Sequence, residues 1–138
     1  MKATKLVLFF ALTAIAISSN GQNVKKVAPA KAPTIEAYYF HFTARCATCL
    51  AVEAQAEGDI NALYPELVKN GTITFKSINL DDATSKSLAD KLKVTGQTLL
   101  FVAGGQKVDL TNEGFLYAES NPDKLKEIIM QRMDGLLK

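Results

Sequence analysis

An α/β sandwich is the fold class that this 138-residue sequence predicts. Three observations carry it. Strand-like and helix-like stretches alternate from Thr34 onward. Residues 98–103 read TLLFVA, a continuous apolar run of the kind that strands buried on both faces show. Gly104-Gly105 follows that run and fits a tight hairpin turn, which adds an antiparallel edge strand. The expected architecture is a mixed central sheet of about four strands with helices on both faces, three layers in all. One domain is the prior at this length.

The elements follow in order. Residues 34–42, TIEAYYFHF, are rich in aromatic side chains and read as the first strand. Residues 46–69 carry a stripe of Cys49, Val52, Ala56, Ile60, Leu63 and Leu67, spaced three and four apart as on one helix face. Pro65 removes an internal hydrogen bond and clashes with the preceding turn, which predicts a kink or break there. Asn70-Gly71 ends the segment. Residues 72–80, TITFKSINL, alternate at Ile73 and Phe75 and read as the second strand. Residues 81–92 predict a short helix with Leu88 and Leu92 inward and Asp81 and Asp82 as its caps. TLLFVA is the third, central strand, and 106–110 returns along its edge. Asn121 caps a last helix with Pro122 at its first position, and Leu125, Ile128, Ile129, Met133 and Leu136 lie on one side of it. The strand–helix–strand crossover requires a parallel first pair.

The N-terminal segment reads as an address. Lys2 and Lys5 precede an apolar run of about a dozen residues, from Leu6 to Ile17, within the secretory range and short for a membrane span. Ser19 and Gly21 are small residues suited to cleavage after Gly21. The expectation is a signal peptide at 1–21, with an uncleaved N-terminal anchor as the alternative. Residues 22–33, QNVKKVAPAKAP, read as a flexible linker, and 34–138 as the domain. The expected location is periplasmic or secreted.

Composition narrows the function. The chain has 16 Lys and Arg against 14 Asp and Glu, with 48% hydrophobic and 22% charged residues. Losing Lys2 and Lys5 leaves 14 of each sign. That balance lacks the basic footprint of a nucleic-acid binder. The two cysteines lie three apart, in Cys46-Ala47-Thr48-Cys49.

Cys46 falls at a predicted helix start, where free backbone N–H groups and the helix dipole stabilise a thiolate. Arg45 adds a positive charge beside it. Cys49 begins the buried stripe. Cys46 is therefore the candidate nucleophile and Cys49 the resolving thiol. A ring of about four residues contributes roughly 2 kcal/mol of chain-entropy stabilisation, against about 3 for fifteen, which favours exchange over a purely structural staple. Binding of a soft ion such as arsenite or copper(I) and an inert disulfide are the alternatives.

A strand, CxxC at a helix start, strand, helix, strand, hairpin and terminal helix resembles the thioredoxin-like superfamily over about residues 34–137. The stretch VTGQTLLF, Val94 to Phe101, resembles the segment leading into that family's third strand. The resemblance implies a thioredoxin-like three-layer sandwich and places Gln97 and Thr98 beside the cysteine pair. Exchange chemistry outside the cytoplasm calls for a protein or small-molecule disulfide as substrate and a membrane-embedded electron donor. There are departures. Thr98 occupies the family's cis-proline slot, so a trans bond is expected, with the Thr98 hydroxyl near Cys46. Phe40 replaces a buried acid, Arg45 a tryptophan, and Ala47-Thr48 a Gly-Pro pair. The run YYFH…RCATC followed by VEAQ more specifically resembles an exported bacterial family labelled the ArsF-type subunit of a nitrophenyl compound nitroreductase, which implies reduction of nitro-aromatic or organoarsenical compounds. No Gly-rich phosphate loop follows a strand, so no cofactor and no resident metal is expected.

His41 is the single histidine. It reads either as a proton acceptor for Cys49, or second positive neighbour of Cys46, or as a half-buried strand residue. Tyr38, Tyr39 and Phe40 read as core, while Phe42 points toward the loop that carries the cysteines.

Overall fold

The computed structural model describes residues 34–138. The expected signal peptide and linker lie outside the described residues. β1 (Ile35–His41) is followed by α1 (Ala47–Leu63), α2 (Pro65–Lys69) and β2 (Ile73–Asn79). A 3-10 turn (Ala83–Ser85) leads into α3 (Lys86–Leu92), β3 (Thr98–Ala103), β4 (Gln106–Asp109), α4 (Thr111–Tyr117) and α5 (Pro122–Leu136).

The sheet order is β2-β1-β3-β4. β1 runs parallel to β2, with Ile35 opposite Ile73 and His41 opposite Asn79. It runs antiparallel to β3, with Phe40 opposite Thr98 and Ile35 opposite Ala103. β3 and β4 form the predicted hairpin, in which Gly104 takes the positive φ of 58° that a side chain would resist. β1 and β3 are the central strands, so both of their faces are buried.

Alternation along β1 sends its side chains to two cores. Ile35, Ala37 and Tyr39 join Leu99, Phe101 and Ala103 beneath α1 and α5. Tyr38, Phe40 and Leu100 meet Ala89, Leu92 and Val94 around α3 on the other face. Phe101 and Ile35 are fully buried, each worth about 1.5–3 kcal/mol relative to exposure. The result is the mixed four-stranded sheet with helices on both faces, a thioredoxin-like sandwich.

Three local outcomes refine the sequence reading. Proline disfavours helical geometry in the residue before it; Tyr64, at φ −130° and ψ 47°, separates α1 from α2 before Pro65. The segment after β2 opens as a 3-10 turn, and its Asp82 makes no side-chain cap. Asp81 is not a cap either: its Oδ2 accepts from the Thr43 backbone N–H at 2.7 Å, in the β1–α1 loop. α4 was unassigned in the sequence because its buried residue is small: Gly114, flanked a turn away on either side by the buried Leu110 and Ala118.

Candidate active site

α1 begins at the cysteines because Cys46 acts as its N-cap. Its backbone is extended, at φ −85° and ψ 164°, and its Sγ accepts from the Cys49 backbone N–H at 3.1 Å. Cys49 Sγ accepts in turn from the Cys46 N–H at 3.2 Å. The two sulfurs are joined as a disulfide, with Cα atoms 5.1 Å apart. No acidic residue of α1 occupies its own first turn, so no side chain of the helix itself offsets the positive end of its 17 residues. Cys46 is exposed, whereas Cys49, on the inner side of α1, is 2% exposed.

The loop that delivers Cys46 is held at several points. Leu80 N–H donates to His41 O at 2.7 Å, and Asn79 Nδ2 donates to Thr43 Oγ1 at 2.9 Å. The Thr43 backbone and hydroxyl groups hold the Asp81 carboxyl below its ordinary pKa. Phe42, 37% exposed, lines a cavity of about 410 Å³ with Leu80, Asp81, Ala89, Val94 and Thr95. This hollow adjoins the loop ahead of Cys46.

The supporting residues named from sequence are placed as follows. Arg45 is half-buried: its Nη2 donates to Glu53 Oε2 on α1, and its Cζ lies 5.6 Å from the Tyr39 ring centroid. His41 ends β1 with its ring 6.2 Å from that of Tyr39, and its Nδ1 lies 2.8 Å from Phe42 O. The Thr98 hydroxyl, expected near Cys46, donates to Gly96 O at 2.9 Å; a threonine side chain readily satisfies itself on its own loop. No described peptide bond is cis, so the bond before Thr98 is trans as expected. Gln97 Oε1 is buried without a hydrogen-bond partner among the described residues. Among the described residues, no hydrogen bond joins His41, Gln97 or Thr98 to either sulfur.

Sequence reasoning missed Glu53 and Glu119, and read Tyr39 as core without its contact to Arg45. Glu53 lies one turn beyond Cys49 and takes up the Arg45 charge. Tyr39 supplies the aromatic face under that guanidinium, and burial raises its phenol pKa. Glu119, in the α4–α5 connection, accepts from Thr48 Oγ1 at 2.6 Å. The eight-residue spacing of Arg45, just ahead of the Cys46 N-cap, and Glu53 on α1 was a usable signal for the first; for Glu119, 71 residues from Thr48, the sequence held none. Among the described residues no cluster of His, Cys, Asp or Glu has the makings of a metal site.

Fold and site together define a sandwich of the thioredoxin-like class with a disulfide at the start of its first helix. No family model matches the chain, and no curated protein matches it. Among solved structures, the chain is similar to oxidized thioredoxin O2 from Arabidopsis thaliana, at 20% identity, covering 76% of each chain with a TM-score of 0.48. It is also similar to Fasciola hepatica thioredoxin, at 21% identity over 71% of this chain and 80% of that one, with a TM-score of 0.42.

Proposed function

We propose that this chain is an exported thiol–disulfide oxidoreductase in which Cys46 is the nucleophile and Cys49 the resolving thiol. The observation that carries the reading is the asymmetry of the bonded pair: Cys46 is exposed at a helix start and Cys49 is buried one turn on. In the reduced protein the Cys46 thiolate attacks one sulfur of a substrate disulfide and expels the other as a thiolate. Cys49 then attacks Cys46 Sγ in the mixed disulfide, closes the Cys46–Cys49 bond and releases the second substrate thiolate. The substrate gains two electrons and the protein loses two. A dithiol of a membrane-embedded donor, reacting in the opposite sense, restores the reduced pair.

The resemblance to the ArsF-type family extends this reading. The substrate side then supplies electrons for reduction of nitro-aromatic or organoarsenical compounds. A dithiol alone is a poor nitro reductant, so the chemistry at nitrogen falls to a component that carries a cofactor.

The test is a redox titration of the purified protein against glutathione and dithiothreitol ratios, read by thiol alkylation and mass spectrometry. A reversible two-electron transition between about −270 and −120 mV is expected. A pair that stays oxidised well below about −300 mV is a structural disulfide and overturns the reading.

A further inference from the structure

Arg45 directly precedes the nucleophile, and a free cation there would favour the thiolate strongly. Its side chain is committed elsewhere. The guanidinium pairs with Glu53, the two side chains being 18% and 16% exposed, and packs over the Tyr39 ring. Glu53 stands seven residues beyond Cys46, about 10 Å along α1 at roughly 1.5 Å per residue. The guanidinium is therefore drawn along the helix flank toward β1. Burial pushes the Glu53 carboxyl up, but the Ser77 hydroxyl, Arg45 and His41 outweigh it and hold the group below its ordinary pKa. Glu53 thus keeps its charge, and the pair presents little net charge to a neighbouring sulfur.

We propose that Glu53 is a positioning residue for disulfide exchange: by binding Arg45 against α1 and the Tyr39 ring, it withholds a positive charge from Cys46 Sγ and keeps the reduced pair a stronger electron donor. The proposal rests on the reading of Cys46 as the nucleophilic thiol. Reduction of the bonded pair takes two electrons and one proton and yields Cys46 thiolate with Cys49 thiol. The electrons come from a dithiol donor, which is oxidised to its own disulfide. Whatever stabilises the thiolate stabilises the reduced protein and weakens it as a donor. The other titratable side chains that meet the loop are His41 at the end of β1, Asp81 bonded to Thr43, and Glu119 bonded to Thr48. All three are retained when Glu53 is replaced.

The experiment measures the rate of Cys46 alkylation by iodoacetamide against pH in the reduced protein, and the redox equilibrium with glutathione. In Glu53→Gln the thiolate-forming constant is expected to rise about tenfold, a pKa fall of about one unit. The ratio of reduced to oxidised protein rises by up to about tenfold at a given glutathione poise, equivalent to about 30 mV. The double variant Arg45→Met with Glu53→Gln leaves no lone buried ion and is expected to stay within about threefold of the original protein on both readouts. An unchanged constant in Glu53→Gln overturns the proposal. So does a double variant that shifts as far as the single one, because a lost anchor and not an unmasked charge then moves the thiol.

Should Glu53→Gln fail to fold, Arg45→Met supplies the sign: it leaves the Glu53 carboxylate without its cation and is expected to raise the Cys46 pKa. A fall there refutes the proposal. Alkylation needs no partner. A protein whose thiol responds as expected yet exchanges with no disulfide refutes the oxidoreductase reading and leaves the masking of Arg45 standing.

Discussion

Thr48 Oγ1 donates to Glu119 Oε2 at 2.6 Å, tying the residue between α1's two cysteines to the connection between α4 and α5. The bond sets an exposed carboxylate beside the site that Cys46 presents to substrates. An anionic disulfide should feel that charge as repulsion. Glu119→Gln is expected to speed reaction of the reduced protein with a dianionic aromatic disulfide by about two- to fivefold at low salt. The gain should vanish near 0.5 M salt, because exposed charges are screened beyond about 10 Å already at 0.1 M. A neutral disulfide should react at an unchanged rate. Stopped-flow rates for the two reagents against ionic strength check this, and equal acceleration of both would show that the bond acts through loop geometry.

The difference in exposure between the two sulfurs predicts an order of modification. Cys49 is 2% exposed, whereas Cys46 stands open at the helix start. Alkylation of the reduced protein should therefore label Cys46 at least about tenfold faster than Cys49 at neutral pH. Cys49→Ala should accumulate mixed disulfides through Cys46, and Cys46→Ala should accumulate few. Peptide mapping by mass spectrometry after brief labelling decides it. Equal labelling would mean that the start of α1 opens on reduction.

Two helical glycines predict stability changes of opposite sign. A Cβ built on Gly114 would meet Val52 Cγ1 at 2.9 Å, since α4 packs directly on α1 there. Gly114→Ala must push the helices apart and is expected to cost about 1–3 kcal/mol. Gly58 is exposed in α1, and a Cβ there meets nothing within 4 Å. Gly58→Ala should stabilise by about 0.5–1 kcal/mol through helix propensity. Urea denaturation midpoints test both, and a neutral Gly114→Ala would show that the α1–α4 contact yields freely.

Period and turn chemistry made most of this fold legible in the sequence. TLLFVA became the central β3 because a run apolar on both sides has no solvent face to offer. Pro65 broke the long helix by holding Tyr64 out of helical geometry. α4 escaped because Gly114, the residue it buries, contributes no hydrophobic signal, while the larger Leu116 is 61% exposed. The cysteine pair was legible from local spacing and its place after a strand. The Glu119 charge beside it was not, because Glu119 reaches the site only through tertiary packing. Arg45 showed the same limit: its position beside Cys46 was plain, but the direction of its side chain depended on Glu53 and Tyr39.

Asp59 carries the pH prediction. It is 5% exposed on α1, and Gln55 Nε2 donates to both of its carboxyl oxygens at 3.0 Å. Burial raises its pKa, and the Gln55 bond and Lys126 only partly oppose that. The native state therefore holds the Asp59 proton to higher pH than the unfolded chain does. In the window between the unfolded value, near 3.9, and the raised native value, the native state binds more protons, so stability falls as pH rises. Above that window the buried charge remains a standing cost. Asp59→Asn keeps a side chain able to bond Gln55 and removes the charge. The variant is expected to match the original protein near pH 4, to gain on it as pH rises, and to hold a constant advantage at neutral pH. Urea midpoints from pH 4 to 7.5 measure the difference. An advantage that shrinks with rising pH would mean that the Asp59 carboxylate is held by a stronger partner than Gln55.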